Sequence, residues 1–191
     1  MADISAVSIC SNALLLLGDK PIDSFDQNND RTRLVANLYD MKRDAVLRAH
    51  PWNCATKRVV LSPDTEAPAF GWKYQFQLPD DYLRILSVGI EEEAPDDYAI
   101  EGRKLLMNSN VCYLRYIFRN DVEATWDALL VNAMTEVMKA ACAYAITKST
   151  SKEEMVERIV RDVLKTARAV DGQEVTPETL GDFPLLANRY R

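Results

Sequence analysis

The sequence predicts a mixed, mainly helical α+β fold: a four-helix bundle with a β-rich lobe inserted between helices 2 and 3 and an extended C-terminal tail. Three observations predict it. Apolar residues recur at helical spacing near both ends of the chain, over 4–49 and 126–172. Between them, from Trp52 to Phe118, prolines, aromatics and short alternations replace that spacing, as in strands joined by turns. Beyond Gly172 no periodicity remains.

The first helix is expected over Ile4 to Leu17, with Ala6, Ile9, Cys10, Ala13, Leu14 and Leu17 on one face. Asp3 is its candidate cap, and Gly18 can take the left-handed conformation that ends it. The second is expected from Asp30, its candidate cap, to Ala49. Its stripe is Leu34, Leu38, Met41 and Ala45, with Arg31, Arg33, Asp40, Lys42, Arg43 and Asp44 outside. His50-Pro51 stops it, because proline disfavours a helical residue before it.

Six strands are expected next: Thr56 to Leu61, Tyr74 to Leu78, Leu83 to Val88, Tyr98 to Glu101, Lys104 to Met107 and Tyr113 to Phe118. Gly102 supplies the positive φ of a hairpin turn. Ser62 to Gly71 and the acidic stretch Glu91 to Asp97 read as exposed loops. After Asp121, a helical face carries Trp126, Leu129, Leu130, Ala133, Val137, Ala140, Ala141 and Tyr144. A last helix begins at Ser151, where Ser151 and Glu154 have the spacing of a capping box, and carries Val156, Ile159, Val160, Val163 and Ala167 until Gly172 stops it. One domain over 1–172 therefore divides into a bundle (1–50 and 121–172) and a lobe (51–120), followed by a tail over 173–191.

Composition narrows the function. The net charge of −6 argues against a protein that grips DNA, which needs clustered Lys and Arg to displace counterions. It leaves open a surface that DNA slides past. No apolar run approaches the roughly 20 residues of a membrane span, so the chain is expected to fold in a cytosol. Cys10, Cys54, Cys112 and Cys142 are scattered among apolar residues and read as buried free thiols.

Chemistry is sparse. His50 is the single histidine and reads as a helix-end residue. No spacing of Cys, His and carboxylates suits a metal, and neither a P-loop nor a GxGxxG occurs, so neither metal nor cofactor is expected. Asp80-Asp81, Asp96-Asp97 and Glu153-Glu154 are paired acids, but such pairs act in acid–base chemistry only when burial separates their pKa values. Trp52, Trp72, Tyr74, Phe76 and Tyr82 could stack on bases. With only Lys57, Arg58 and Lys73 nearby, they read better as the core of the lobe.

A series of local patterns adds a family resemblance. Ile9-Cys10-Ser11-Asn12-Ala13-Leu14-Leu15-Leu16-Leu17-Gly18 resembles the opening of the tail tubular protein A family of head-to-tail adaptors in tailed bacteriophages. The acidic loop Ile22 to Asp26, the helix end Arg43 to Leu47 and the basic strand Trp52 to Leu61 follow in that family's order. So do Gly71 to Arg84, with Trp72, Tyr74, Leu78, Pro79, Asp81 and Arg84, the hairpin Tyr98 to Leu106, and the helix start Trp126 to Leu130. The similarity runs from about residue 4 to 170.

This resemblance implies a non-enzymatic neck subunit without cofactor. Such subunits form a ring, commonly of twelve copies, between the portal protein and the downstream tail component, and prolong the channel through which genomic DNA passes. They sit at the virion neck and assemble in the host cytoplasm. The tail residues Leu180, Phe183, Leu185, Leu186 and Tyr190, with Arg189 and Arg191, are then expected to form a docking arm that orders on assembly; the alternative is that they fold back on the chain itself. The acidic loop Glu91, Glu92, Glu93, Asp96 and Asp97 is expected to be exposed, functional or solubilising, and not catalytic. Two rival readings are a small cytosolic hydrolase using Asp80, Asp81 and His50, and a bacterial helical regulator that binds a partner protein.

Overall fold

A computed structural model describes residues 4–90 and 96–174 of the chain. It is a mixed α+β structure with four helices and two small antiparallel sheets. In chain order the elements are α1 (Ala6–Leu16), α2 (Asp30–Ala49), β1 (Thr56–Leu61), β2 (Tyr74–Gln77), β3 (Tyr82–Val88), β4 (Tyr98–Glu101), β5 (Lys104–Met107), β6 (Cys112–Phe118), α3 (Ala128–Thr147) and α4 (Thr150–Gln173).

The ends of the helices correct several expectations. Ser5 caps α1, and the expected cap Asp3 lies outside the described residues. The Ser5 hydroxyl accepts from the Ser8 amide at 3.2 Å, while the Ser8 hydroxyl accepts from the Ser5 amide at 2.9 Å, which satisfies two orphan donors reciprocally. Gly18 takes φ +84° as expected, and the Asp19 amide closes the helix end on Leu14 O at 3.0 Å. Asn29, not Asp30, caps α2 by accepting from the Thr32 amide at 2.9 Å. Ser149, not Ser151, caps α4, so the Ser151–Glu154 box is not used. Gly172 lies inside the last turn, which continues to Gln173.

The apolar stripes are rotated from the expected ones in two helices. On α2 the buried residues are Thr32, Val35, Tyr39, Arg43, Val46 and Leu47, while Met41 and Ala45 face solvent. Arg43 was expected outside. Its guanidinium is held by Asp40 and Asp44, both at 3.1 Å, so the charged head is paired while its stem helps to fill the interior. On α3 the buried set is Leu130, Ala133, Met134, Thr135, Met138, Cys142 and Ala143, and Tyr144 is exposed. That helix packs against α1, α2 and α4, so a single narrow stripe does not describe its contacts. By length and hydropathy alone α3 could cross a bilayer. On α4 Val156 and Ala167 are buried, but Ile159 faces outward.

The six strands fall within a residue of their expected bounds and form two sheets. In the first, β6 lies between β1 and β3; in the second, β5 lies between β2 and β4. Gly102 turns β4 into β5 with φ +60°. The register pairs Val60 with Tyr113, Arg58 with Arg115 and Thr56 with Ile117.

Alternation along β6 divides two cores. Ile117 enters a core with Leu14, Val35, Leu47, Trp52, Trp126, Leu130 and Met138 from the helical side, joined by Leu83 of β3. Leu114 and Tyr116 point the other way, to Phe76, Leu78, Leu105 and Met107 of the second sheet. Trp52 thus belongs to the helical core and not, as expected, to that of the lobe; its Nε1 donates to Val46 O at 3.1 Å.

A polar knot joins the two far ends of the helical layer. Asp171 of α4 is buried and accepts from the Asn53 amide at 3.1 Å, with His50 Nε2 at 3.0 Å. Asn53 Nδ2 donates in turn to Asp171 O at 3.0 Å. His50 therefore has the helix-end role expected of it, with its ring edge-on to Trp52 at 4.6 Å. Asp171→Ala removes a buried, charged acceptor from the half-buried His50 and the exposed Asn53. We expect a loss of about 1–3 kcal/mol, seen as a fall of roughly 3–10 °C in the melting temperature. An unchanged melting curve would show that the knot contributes nothing.

Candidate functional site

The acids named as catalytic candidates are engaged in structural pairs. Asp81, at the start of β3, accepts from Lys57 Nζ at 2.8 Å and from the Tyr116 hydroxyl at 2.9 Å. Its backbone carbonyl takes the Arg119 amide at 2.7 Å. Burial, then the hydrogen bond and charge of Asp81, push the Tyr116 phenol above its ordinary range. The Lys57 ammonium also lies over the Phe118 ring at 3.7 Å. Asp80 is fully exposed beside Arg103 at 3.6 Å. His50 pairs with Asp171 at the helix ends, so Asp81 and His50 are committed to different partners.

A second polar cluster, missed by the sequence reading, lies in the helical core. Tyr39 donates to the buried carboxylate of Glu123 at 2.9 Å. Burial first, and the Glu123 charge second, push the Tyr39 phenol upward. Burial, followed by the neighbouring Cys142 and Glu123, pushes the Cys10 thiol up to about 12. Burial also lifts Cys54, Cys112 and Cys142 to about 11. These thiols stay protonated near neutral pH, and a protonated thiol is a poor nucleophile and metal ligand. Among the described residues no group of three or more His, Cys, Asp or Glu is placed to hold a metal ion.

Among the surfaces, the outer face of the first sheet stands out. The β6 residues Tyr113, Arg115 and Ile117 share one face with Thr56, Arg58 and Val60 of β1. Helix α2 packs on β3 and β6, and Ile117 is sealed in the helical core. Further along the same face the helices no longer cover it. Val60 is 60%, Ile90 74% and Tyr113 39% exposed. With Arg58, Gly89 and Arg115 they line a groove of about 310 Å³. Simple alternation in Thr56 to Leu61 and Tyr113 to Phe118 puts Val60 and Tyr113 on the faces of Arg58 and Arg115. Only the β1–β6 register brings the two faces together.

Of the expected site residues, Asp96 and Asp97 are exposed as foreseen. Glu91, Glu92 and Glu93 lie outside the described residues, as do Leu180, Phe183, Leu185, Leu186, Arg189, Tyr190 and Arg191. Of the aromatics expected in the core of the lobe, Phe76 is buried in the second core, with Tyr74 and Tyr82 packed against it.

The raised thiols give the chain an alkaline limit. Below the ordinary thiol value of 9.0 the folded and unfolded chains both keep their thiol protons, and the full stability is present. Above it the unfolded chain loses protons that the folded chain retains, so stability falls as pH rises from about 9 toward the folded value of about 12 for Cys10. Chemical denaturation between pH 8 and 11 should show this decline, and Cys10→Ala should make it shallower. In native protein at pH 8, Cys10, Cys112 and Cys142 should resist a bulky disulfide reagent, and should react once the chain is denatured.

No protein-family model matches this chain, and no curated protein matches it.

Proposed function

We propose that the chain is a head-to-tail adaptor subunit of a tailed bacteriophage, forming a ring beneath the portal that joins capsid to tail and prolongs the DNA channel. The observation that carries this reading is the order of the local patterns, from Ile9–Gly18 through Trp52–Leu61 and Gly71–Arg84 to Trp126–Leu130. Four helices with two small antiparallel sheets between the second and third are compatible with the bundle and inserted lobe that the resemblance implies. In this reading α1–α4 form the bundle, residues 51–120 the lobe, and the residues after Glu174, a shorter tail than the expected 173–191, a docking arm. The subunit works by docking and by lining a channel, without catalysis, metal or cofactor.

Two physical features suit that role. The helical side exposes Leu15, Leu16, Tyr144, Met155 and Ile159, apolar groups that a neighbouring subunit can cover. The chain is also acidic, with a net charge of −6. Acid facing a bore repels DNA phosphates within a screening length of about 8 Å at physiological salt and so lets the duplex slide.

Mixed with the portal protein of its own virus, the chain should assemble as a ring coaxial with the portal, twelve copies being the usual number for the family. Negative-stain electron microscopy reads the ring, and light scattering on a sizing column reads the mass. A chain that remains a small oligomer, unaffected by portal, would overturn the proposal.

A further inference from the structure

We infer that the pocket beneath the loop before β2, on the outer face of the second sheet, receives an arginine side chain of a partner protein. The pocket lies on the lobe, and the inference stands independently of the adaptor reading. Its construction, its charge and its size carry it.

The register builds the floor. In the second sheet Phe76, Leu105 and Met107 turn to the second core, so Gln75, Leu106, Ala99 and Glu101 turn the other way. Leu106 on that outer face is nevertheless buried, at 4% exposure. The loop between β1 and β2 covers it and is pinned at both feet. The Asp64 amide donates to Gln75 O at 2.8 Å, and Lys104 Nζ donates to the Asp64 carboxylate at 2.7 Å. At the other foot the Lys73 amide donates to Asn108 Oδ1 at 3.2 Å. Between the feet Gly71 takes φ +85°, a left-handed bend that glycine adopts without strain. Pro68, Phe70 and Trp72 of the loop, with Gln75, Glu101 and Leu106 of the sheet, enclose a pocket of about 260 Å³.

Charge selects the occupant. Among the described residues that line this pocket, Glu101 is the one charged side chain. The two cations that follow it in the turn are drawn elsewhere. Arg103 reaches Pro79 O at 2.9 Å and Asp80 at 3.6 Å. Lys104 stands opposite Glu101 in the register, but its ammonium is held by Asp64. The pocket therefore presents a carboxylate beside two aromatic residues. An aromatic ring attracts a cation within about 6 Å of its centroid. A guanidinium suits this pair better than an ammonium, because it is flat enough to stack on a ring while its fork donates to a carboxylate.

Size and exposure say what carries that cation. Sites for whole small ligands enclose ~300–1,000 Å³, and this one is smaller, so it fits a single side chain better than a nucleotide or a cofactor. Phe70 is 88% exposed at the rim. Aromatic groups left this bare are the anchors that protein interfaces cover.

The test follows the indole N–H of Trp72 by proton–nitrogen correlation NMR on the full chain. The chain has three tryptophans, and Trp72→Phe assigns the signal. The probe is an acetylated and amidated glycyl-arginyl-glycine peptide. It should shift the Trp72 signal saturably, with a Kd in the millimolar range, while the signals of the buried Trp52 and Trp126 stay still. Citrulline in place of arginine should weaken binding roughly ten-fold, Glu101→Gln by a similar factor and Phe70→Ala about three-fold. Phe70 and Glu101 are both exposed, so the variants should fold, and unchanged Trp52 and Trp126 signals verify it. No saturable shift, equal affinity for the citrulline peptide, or indifference to both substitutions would overturn the inference. So would tighter binding of free arginine, which would make this a metabolite site. A Trp72 signal that moves with protein concentration before peptide is added would give the pocket to a second copy, and would overturn it too. No portal is present, so the ring experiment decides the adaptor reading separately.

Discussion

The strict alternation of β6 is the constraint on which the rest of the molecule depends. One strand of seven residues supplies both cores: Ile117 to the helices, Leu114 and Tyr116 to the second sheet. It is also the middle strand of its sheet, hydrogen-bonded on both sides, so neither β1 nor β3 holds its place without it. The β3 strand carries register shifts between Tyr82 and Arg84 and between Ile85 and Ser87, which let its side chains keep to both cores while it bends around the central strand. The even residues of β6 bind the smaller sheet; the odd ones bind the helices at one end and line the open groove at the other.

Polar contacts then fix what the cores leave loose. The Asp171 knot ties the end of α4 to the turn between α2 and β1, and the Asp81 cluster ties β1, β3 and β6 along one edge. The Tyr39–Glu123 pair joins α2 to the short turn before α3 inside the helical core. Each cluster uses an acid to satisfy donors from distant parts of the chain. Where the donor is itself buried, as the Tyr39 and Tyr116 hydroxyls are, the bond is costly to lose, because a stranded donor cannot recover water. The acids that a sequence search flags for catalysis are, where they are held at all, fasteners between elements.

The strands were legible because each is a short alternation bounded by Pro, Gly or Asp, and the interior of each element carries its own signal. Helix ends were less so. Ser5, Asn29 and Ser149 each sit one or two residues from an equally good capping residue, and only the packing of the following helix chooses between them. Arg43 and Tyr39 were misplaced or overlooked for a different reason: periodicity treats Arg as outside, whereas partners four residues or fewer away, Asp40 and Asp44, make its burial tolerable. The groove was invisible for a third reason. Val60 and Tyr113 are 53 positions apart, and nothing local in either strand announces that the register will set them side by side.

The two-sided strand also shapes how such a sequence can change over time. Substitutions at 113, 115 and 117 act on one side of the sheet, and those at 112, 114, 116 and 118 on the other, so each side can drift while its counterpart stays intact. A change of length has no such freedom. Losing or gaining one residue within β6 would exchange the two sets, sending Tyr116 toward the helices and Ile117 toward the second sheet. Descendants of this chain should therefore exchange the buried residues of that strand only for others of similar size and polarity, and hardly ever alter its count, with insertions displaced to the bends on either side.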